Sequence, residues 1–197
     1  MIINRLLTYR WFVVYRLPLN WNQEKAISLE FKHAVLDQDQ VHYFFRNDQM
    51  RVKTFCKFIV HGFRGIVWYE ADEWISYAWM STPVTLGPPH LPRWIKKLPI
   101  YWIFYCRTKG RYQGRGLFKA SISLLARWAR EKDPNAQIYI DTEPNNIPSR
   151  RAIESIGFSP VGVITTLNLN LPKVNWVLWG KWDKEASHPE MPKEIDL

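Results

Sequence analysis

Residues 101–158 constrain the fold more than any other part of the chain. They read in order as an apolar strand, a glycine-rich basic turn, an amphipathic helix, a short strand and a capped helix. The first strand, residues 100–108 (IYWIFYCRT), is a β-branched and aromatic run. A helix over residues 117–131 places Leu117, Phe118, Ile122, Leu125, Trp128 and Ala129 on one face, and Pro134 ends it. Residues 137–141 (QIYID) form a second, buried strand. Asn146 is a good N-cap for a helix reaching Ile156, with Pro148 in its first turn and Gly157 at its C-terminal cap.

The turn carries the chemistry. Residues 111–116 (RYQGRG) put glycine at positions 114 and 116, removing side chains that would keep a ligand from the backbone. The turn opens into a helix whose free amides and positive dipole end favour a phosphate. Arg107, Lys109, Arg111, Arg115 and Lys119 surround it. They form either a pocket for several negative charges or a set of solvated cations around a plain glycine turn. Two other phosphate-binding patterns fail on spacing. No Gly-Lys-Ser or Gly-Lys-Thr is present, and the third glycine of a dinucleotide fingerprint is replaced by Lys119.

The rest of the chain bounds the setting. At 197 residues, 47% hydrophobic and 23% charged, it is one domain's worth of ordinary globular sequence, which excludes wholesale disorder. A net charge of +9, from 27 basic against 18 acidic residues, favours an anionic partner. The two cysteines, Cys56 and Cys106, form no CxxC pair, so they give no metal signature and no disulfide framework; this suits a reducing, cytoplasmic location. The opening MIINRLLTYRWFVVYRLPL is broken by Arg5, Arg10 and Arg16, so neither a membrane-spanning helix nor a signal peptide is expected from it. It suits a strand over residues 11–17, or alternatively peripheral contact with an anionic membrane.

Asn22 caps an expected helix over residues 22–35, and a second helical pattern starts at 37–39 and runs to Gly62 through Val41, Phe44, Phe45, Val52, Phe55 and Ile59. Residues 65–70 and 74–81 read as a hairpin. The connection over residues 82–99 carries Pro83, Pro88, Pro89, Pro92 and Pro99, with His90 and Trp94 among them. It is too long for a mere link and reads as a functional cover. Strands over 161–169 and 175–182 close a single domain of residues 1–182, followed by a polar tail, 183–197.

Two motifs now combine. RYQGRG matches the Arg/Gln-x-x-Gly-x-Gly/Ala pyrophosphate signature of the GNAT superfamily of acyl-CoA-dependent N-acyltransferases. Asn146-x-x-Ser149 followed by ESIGF at 154–158 is similar to that family's strand–helix ending in Gly-Phe. Over about residues 11–182 the chain resembles this family. The resemblance implies an α+β, three-layer α/β/α fold: a mixed, mostly antiparallel sheet of about seven strands, splayed between the fourth and fifth, with helices on both faces. It also implies acetyl-CoA as cosubstrate, no metal, and direct acetyl transfer to a small primary amine.

Carried across residue by residue, the resemblance places amides of Gln113, Gly114, Arg115, Gly116, Leu117 and Phe118 on the CoA pyrophosphate, with Arg111 in the signature and Lys119 nearby. The backbone at Cys106, Arg107 and Thr108 would pair with the pantetheine arm where the sheet opens. Asn146 would lie near the thioester and Ser149 beside the arm, while Arg107 or Lys109 would meet the 3′-phosphate. One departure matters: many relatives carry a tyrosine acid at the position of Ile153, and an aliphatic chain donates no proton. Transfer would then rest on orientation and on polarising the thioester carbonyl. Glu143 is the preferred general base, with Asp141 on the same side of the strand and Tyr105 and Tyr139 behind it. RWFVVYRLPL and YAWMS more loosely resemble acetyltransferases encoded with surface-polysaccharide assembly, which implies a nucleotide-linked amino sugar as acceptor. The alternatives are an acyl-CoA sensor without turnover and a basic nucleic-acid-binding module; no nucleic-acid motif supports the latter, and a nucleic-acid partner is not expected.

Overall fold

Alternation along the strands sorts the apolar side chains into two cores, one on each face of a single sheet. The computed structural model describes residues 6–21, 30–171 and 174–186. In chain order the elements are β1 (Leu7–Arg16), β2 (Lys32–Leu36), α1 (Gln38–Phe45), α2 (Gln49–Val60), β3 (Arg64–Glu70), β4 (Glu73–Ser81), β5 (Tyr101–Thr108), α3 (Leu117–Lys132), β6 (Ile138–Thr142), α4 (Ile147–Ile156), β7 (Ser159–Leu171) and β8 (Val174–Asp183). The strands lie in the order β2-β3-β4-β5-β6-β1-β7-β8. Every neighbouring pair is antiparallel except β5 with β6.

Adjacent residues face opposite cores. Val14, Val67, Trp79 and Trp102 pack under α1 and α2 with Phe45, Phe55 and Phe58. Their neighbours Val13, Ile66, Met80 and Ile103 pack under α3 and α4 with Ile122, Leu125 and Ile153. This is the three-layer, mostly antiparallel architecture expected from the sequence, with eight strands rather than about seven.

The extra strand is a correction. Residues 32–35 are expected at the end of a helix, but with Leu36 they form β2, paired with β3 from Lys32↔Tyr69 to Leu36↔Gly65. Leu36 enters the core and His33 packs on Trp68 at 4.8 Å. Residues 22–29, the first part of that expected helix, lie outside the described residues. The second expected helix is two. Asp37 caps α1 by accepting from the Gln40 amide, and Asp48 restarts the chain as α2 by accepting from the Arg51 amide. The expected tail begins inside β8, which includes Asp183; residues 187–197 are likewise outside the described residues.

Two features shape the part of the sheet that matters for function. β5 pairs with β6 over only three positions, Tyr101↔Ile138 to Ile103↔Ile140. Beyond Ile103 the β6-facing edge of β5 has no strand partner, and the sheet forks. On its other edge β5 carries a bulge: Tyr77 pairs with Arg107 but Trp79 pairs with Phe104, so Tyr105 and Cys106 oppose Ala78 alone. Tyr105 takes φ 51°, a rare conformation for a residue with a Cβ.

The proline-rich connection is an ordered cover. Leu91 and Ile95 are fully buried in the core under α1 and α2. Gly87 donates its amide to Lys96 O at 2.8 Å, the Lys96 ammonium donates to Pro89 O at 2.7 Å, and Trp94 donates its indole N–H to Gly180 O at 3.1 Å. Pro92 sits so close to Gly180 that a Cβ there would lie 2.2 Å from Pro92 Cγ. Gly180→Ala therefore forces the cover off β8. Such overpacking costs about 1–3 kcal/mol, to be read as a lower urea midpoint at unchanged m-value.

Candidate active site

β5 runs directly into the glycine-rich turn, so the open strand edge and the start of α3 are covalently adjacent. A single 3-10 turn, Gly110–Tyr112, ends in the Tyr112 ring, which is buried and donates its hydroxyl to Glu70. Gly114 and Gly116 then take φ 78° and 79°. Gly116 is the left-handed N-cap of α3 and supplies no side-chain acceptor for the first helical amides. The amides of residues 114–119 have no protein acceptor among the described residues, whereas the Gln113 amide donates to Gly110 O at 3.1 Å. A Cβ built on Gly114 meets nothing within 4 Å. The turn thus presents, at a helix N-terminus, a run of amides without an acceptor among the described residues, with open space at Gly114, which fits a diphosphate.

Part of the surrounding positive charge is already paired. The Lys109 ammonium donates to Glu73 Oε2 at 2.9 Å and lies over the Trp74 ring, and Arg111 reaches the same carboxylate at 3.3 Å. The Lys109 hydrogen bond, reinforced by its charge, holds the Glu73 carboxyl below its ordinary range. Arg115 lies 3.6 Å from Glu30 Oε1. Of the five cations expected to form the pocket, Arg107 and Lys119 make no ion pair among the described residues.

The fork brings Cys106 and Asp141 close together. Burial, reinforced by the nearby Asp141 carboxylate, pushes the Cys106 thiol up to about 12; its Sγ contacts Phe104 O at 3.6 Å. At neutral pH this sulfur is a thiol and not a nucleophilic thiolate.

On the α4 side, Asn146 accepts from the Ser149 amide at 3.3 Å and so acts as the helix cap. Pro148 and Gly157 occupy the expected first turn and left-handed C-cap. Ile153 is 0% exposed and belongs to the core with Val13, Tyr15 and Ile140. The hydroxyl of Tyr15, in the same core, donates to Glu154 at 3.0 Å and accepts from Arg150 at 3.1 Å. Burial is the main cause that raises its pKa.

The carboxylates at the end of β6 behave differently from each other. Glu143 is 49% exposed and bonded to Arg10 at 2.6 Å. Asp141 is only 5% exposed at its side chain. Its Oδ1 accepts from the Trp102 indole at 2.6 Å, and both its oxygens lie 3.0–3.1 Å from His90 Nε2. Tyr139, the weaker candidate, is buried and directs its hydroxyl to Gln137. Tyr105 is 51% exposed beside the bulge, with its ring against Phe55 and Phe58. His90 was expected only as part of the cover; no spacing rule links positions 90 and 141.

Comparison with known proteins gives the same reading of the fold. The family model described as "Acetyltransferase (GNAT) family" matches residues 22–158. Among solved structures, a GNAT-family acetyltransferase from Colwellia psychrerythraea superposes with a TM-score of 0.54 at 12% identity, covering 81% of this chain and 55% of that one. A GCN5-related N-acetyltransferase-like protein from Streptococcus suis gives 0.56 at 13%, covering 84% and 63%. AAC(6')-Iy, solved with the bisubstrate analogue CoA-S-monomethyl-acetylneamine, gives 0.51 at 13%, covering 66% and 92%. This chain therefore spans a little over half the length of the first two of these relatives. No curated protein sequence matches it. The family model covers more than half of the chain, and the turn, the fork and the capped helix lie within that match: the protein belongs to the GNAT acetyltransferase family.

Proposed function

We propose that this protein transfers an acetyl group from acetyl-CoA directly to a primary amine. The observation that carries the reading is the run of amides at residues 114–119 that have no acceptor among the described residues, with open space at Gly114 just before α3. In this reading those amides take the CoA pyrophosphate, with Lys119 and Arg107 as the uncommitted cations. The unpaired edge of β5 beyond Ile103, Cys106 to Thr108 included, hydrogen-bonds the pantetheine arm. Asn146 and Ser149 flank the thioester end of the arm. Acetyl-CoA supplies an activated acyl carbon, and the protein supplies orientation and desolvation.

The acceptor enters from the face of α1 and α2. A cleft of about 280 Å³ lies between the α1–α2 turn and the β3–β4 hairpin; its lining includes Phe45 and Trp74, the cations Arg46, Arg51 and Lys109, and the carboxylates Asp48, Asp72 and Glu73. Arg51 is paired with Asp48 and Lys109 with Glu73. Flat rings beside polar groups of both signs suit the face of an amino sugar, and a nucleotide-linked amino sugar is the finer reading of the acceptor.

Three measurements test this. Acetyl-CoA at a hundred times its dissociation constant stabilises the folded form by about 2.7 kcal/mol, seen as a rise in Tm. Gly114→Glu places a carboxylate over the amides and removes that rise; a rise that survives refutes the pocket. Thiol release in the presence of amines, nucleotide-linked amino sugars among them, separates an enzyme from a sensor: binding without amine-dependent release leaves only the sensor. Finally, iodoacetamide at pH 8 alkylates Cys106 in the folded protein roughly a thousandfold more slowly than a free cysteine, because so little thiolate is present. Fast alkylation would reopen a covalent acyl-enzyme route.

A further inference from the structure

The acceptor's proton needs a destination, and the fold prepares one that no motif announced. On β6, Ile138 and Ile140 face α3 and α4, so Tyr139 and Asp141 face the opposite side, towards α1, α2 and the cover. Asp141 lies one residue past the last β5–β6 pair, at the mouth of the fork. A carboxylate this buried must be hydrogen-bonded. It receives the Trp102 indole N–H, and Trp102 is itself stacked on Tyr139 with ring centroids 5.5 Å apart. Its other partner is His90 Nε2, close to both oxygens.

With Nε2–H committed to Asp141, the other ring nitrogen, Nδ1, is left with its lone pair and no protein partner among the described residues. The His90 side chain is 29% exposed, so the ring is not sealed in the core. The ring is fixed from two further directions: it lies 5.2 Å from the Phe12 ring, and the next residue, Leu91, is fully buried.

We propose that His90 is the general base that takes the acceptor's proton, with Asp141 as its positioning residue; this rests on the acetyl-transfer reading above. The ammonium acceptor gives one N–H proton to His90 Nδ1, and the freed lone pair attacks the thioester carbonyl carbon. The C–N bond forms, the C–S bond breaks, and its electron pair leaves on sulfur. The second proton lost by nitrogen goes to that thiolate, giving the CoA thiol, and His90 returns its own proton to water. Asp141 fixes the tautomer and stabilises the imidazolium as it forms, as in other carboxylate–histidine pairs.

The charged and titratable groups around His90 are few. Asp141 faces it from β6, and the Cys106 thiol lies near that carboxylate from β5. From β1, Arg10 Cζ sits 5.2 Å from the centre of the Phe12 ring, and Arg10 is paired with Glu143. From the cover itself, the Lys96 ammonium is bonded to Pro89 O. Glu143, the other carboxylate on this face, is half exposed and accepts the Arg10 guanidinium through Oε1.

The test is steady-state thiol release with the full chain. His90→Gln and His90→Ala lower kcat by about 10²- to 10⁴-fold, leave KM for acetyl-CoA within about twofold and keep the acetyl-CoA rise in Tm, which shows that they fold. Free imidazole restores part of the His90→Ala rate. Independently of turnover, ¹⁵N NMR at pH 8 shows His90 with Nε2 protonated and Nδ1 bare, a state disturbed in Asp141→Asn. A wild-type rate in His90→Gln overturns the proposal, as does a bare Nε2. So does a full rate in His90→Gln alongside a loss of kcat in Glu143→Gln. A wild type that binds acetyl-CoA yet releases no thiol with any amine overturns this assignment and the transferase reading together.

Discussion

The chemistry of this molecule depends on where the pairing of β5 with β6 stops. Three parallel pairs hold the strands together, and then β5 is turned aside by the extra residue at Tyr105–Cys106. A non-glycine residue at φ 51° costs of order 1–3 kcal/mol. The Tyr105 ring is held against Phe55, Phe58 and Tyr77, so aromatic packing with α2 keeps the bulge in place. A fully paired β5 would have satisfied its own backbone and left nothing for a ligand. Because it is released after Ile103, the same strand gives one edge to β4 and keeps the other free, and the β6 carboxylate at position 141 is brought to the opening.

The second constraint is electrostatic. A chain of net charge +9 invites the reading that anion binding is a matter of surplus cations. Around the turn, however, Glu73 and Glu30 engage Lys109, Arg111 and Arg115. What is left for an anion is mainly backbone: amides aligned by two left-handed glycines at the start of a sixteen-residue helix. Such donors do not need to be ordered on binding, so less conformational entropy is lost than with long basic side chains.

The sequence was legible where chemistry is local. Glycines 114 and 116 had to adopt positive φ to make the turn, Asn146 and Gly157 had to bracket α4, and alternation marked β3, β4 and β5. It was misleading where tertiary pairing decides. Residues 32–36 have no strong preference of their own, and the hydrogen bonds offered by β3 draw them into the sheet. A like limit hid the His90–Asp141 pair. Each residue was noticed singly, Asp141 as an alternative base and His90 as part of a long connection. Only the burial of Leu91 and the docking of Pro92 on Gly180 bring them together. The count of cations was legible; which of them were already spoken for was not, because that depends on the hairpin tip and on residue 30.

The position of β1 has a consequence for how the chain reaches this state. It lies between β6 and β7, pairing Val13 with Thr142 and Leu7 with Leu169. The seam that joins the two halves of the sheet is therefore made of contacts with very large sequence separation, and closing such loops is what slows folding. Until β6 has been synthesised, a segment carrying Trp11, Phe12 and Tyr15 has neither of its edges to add to, and until β7 follows one of its two edges stays open to pairing with another chain.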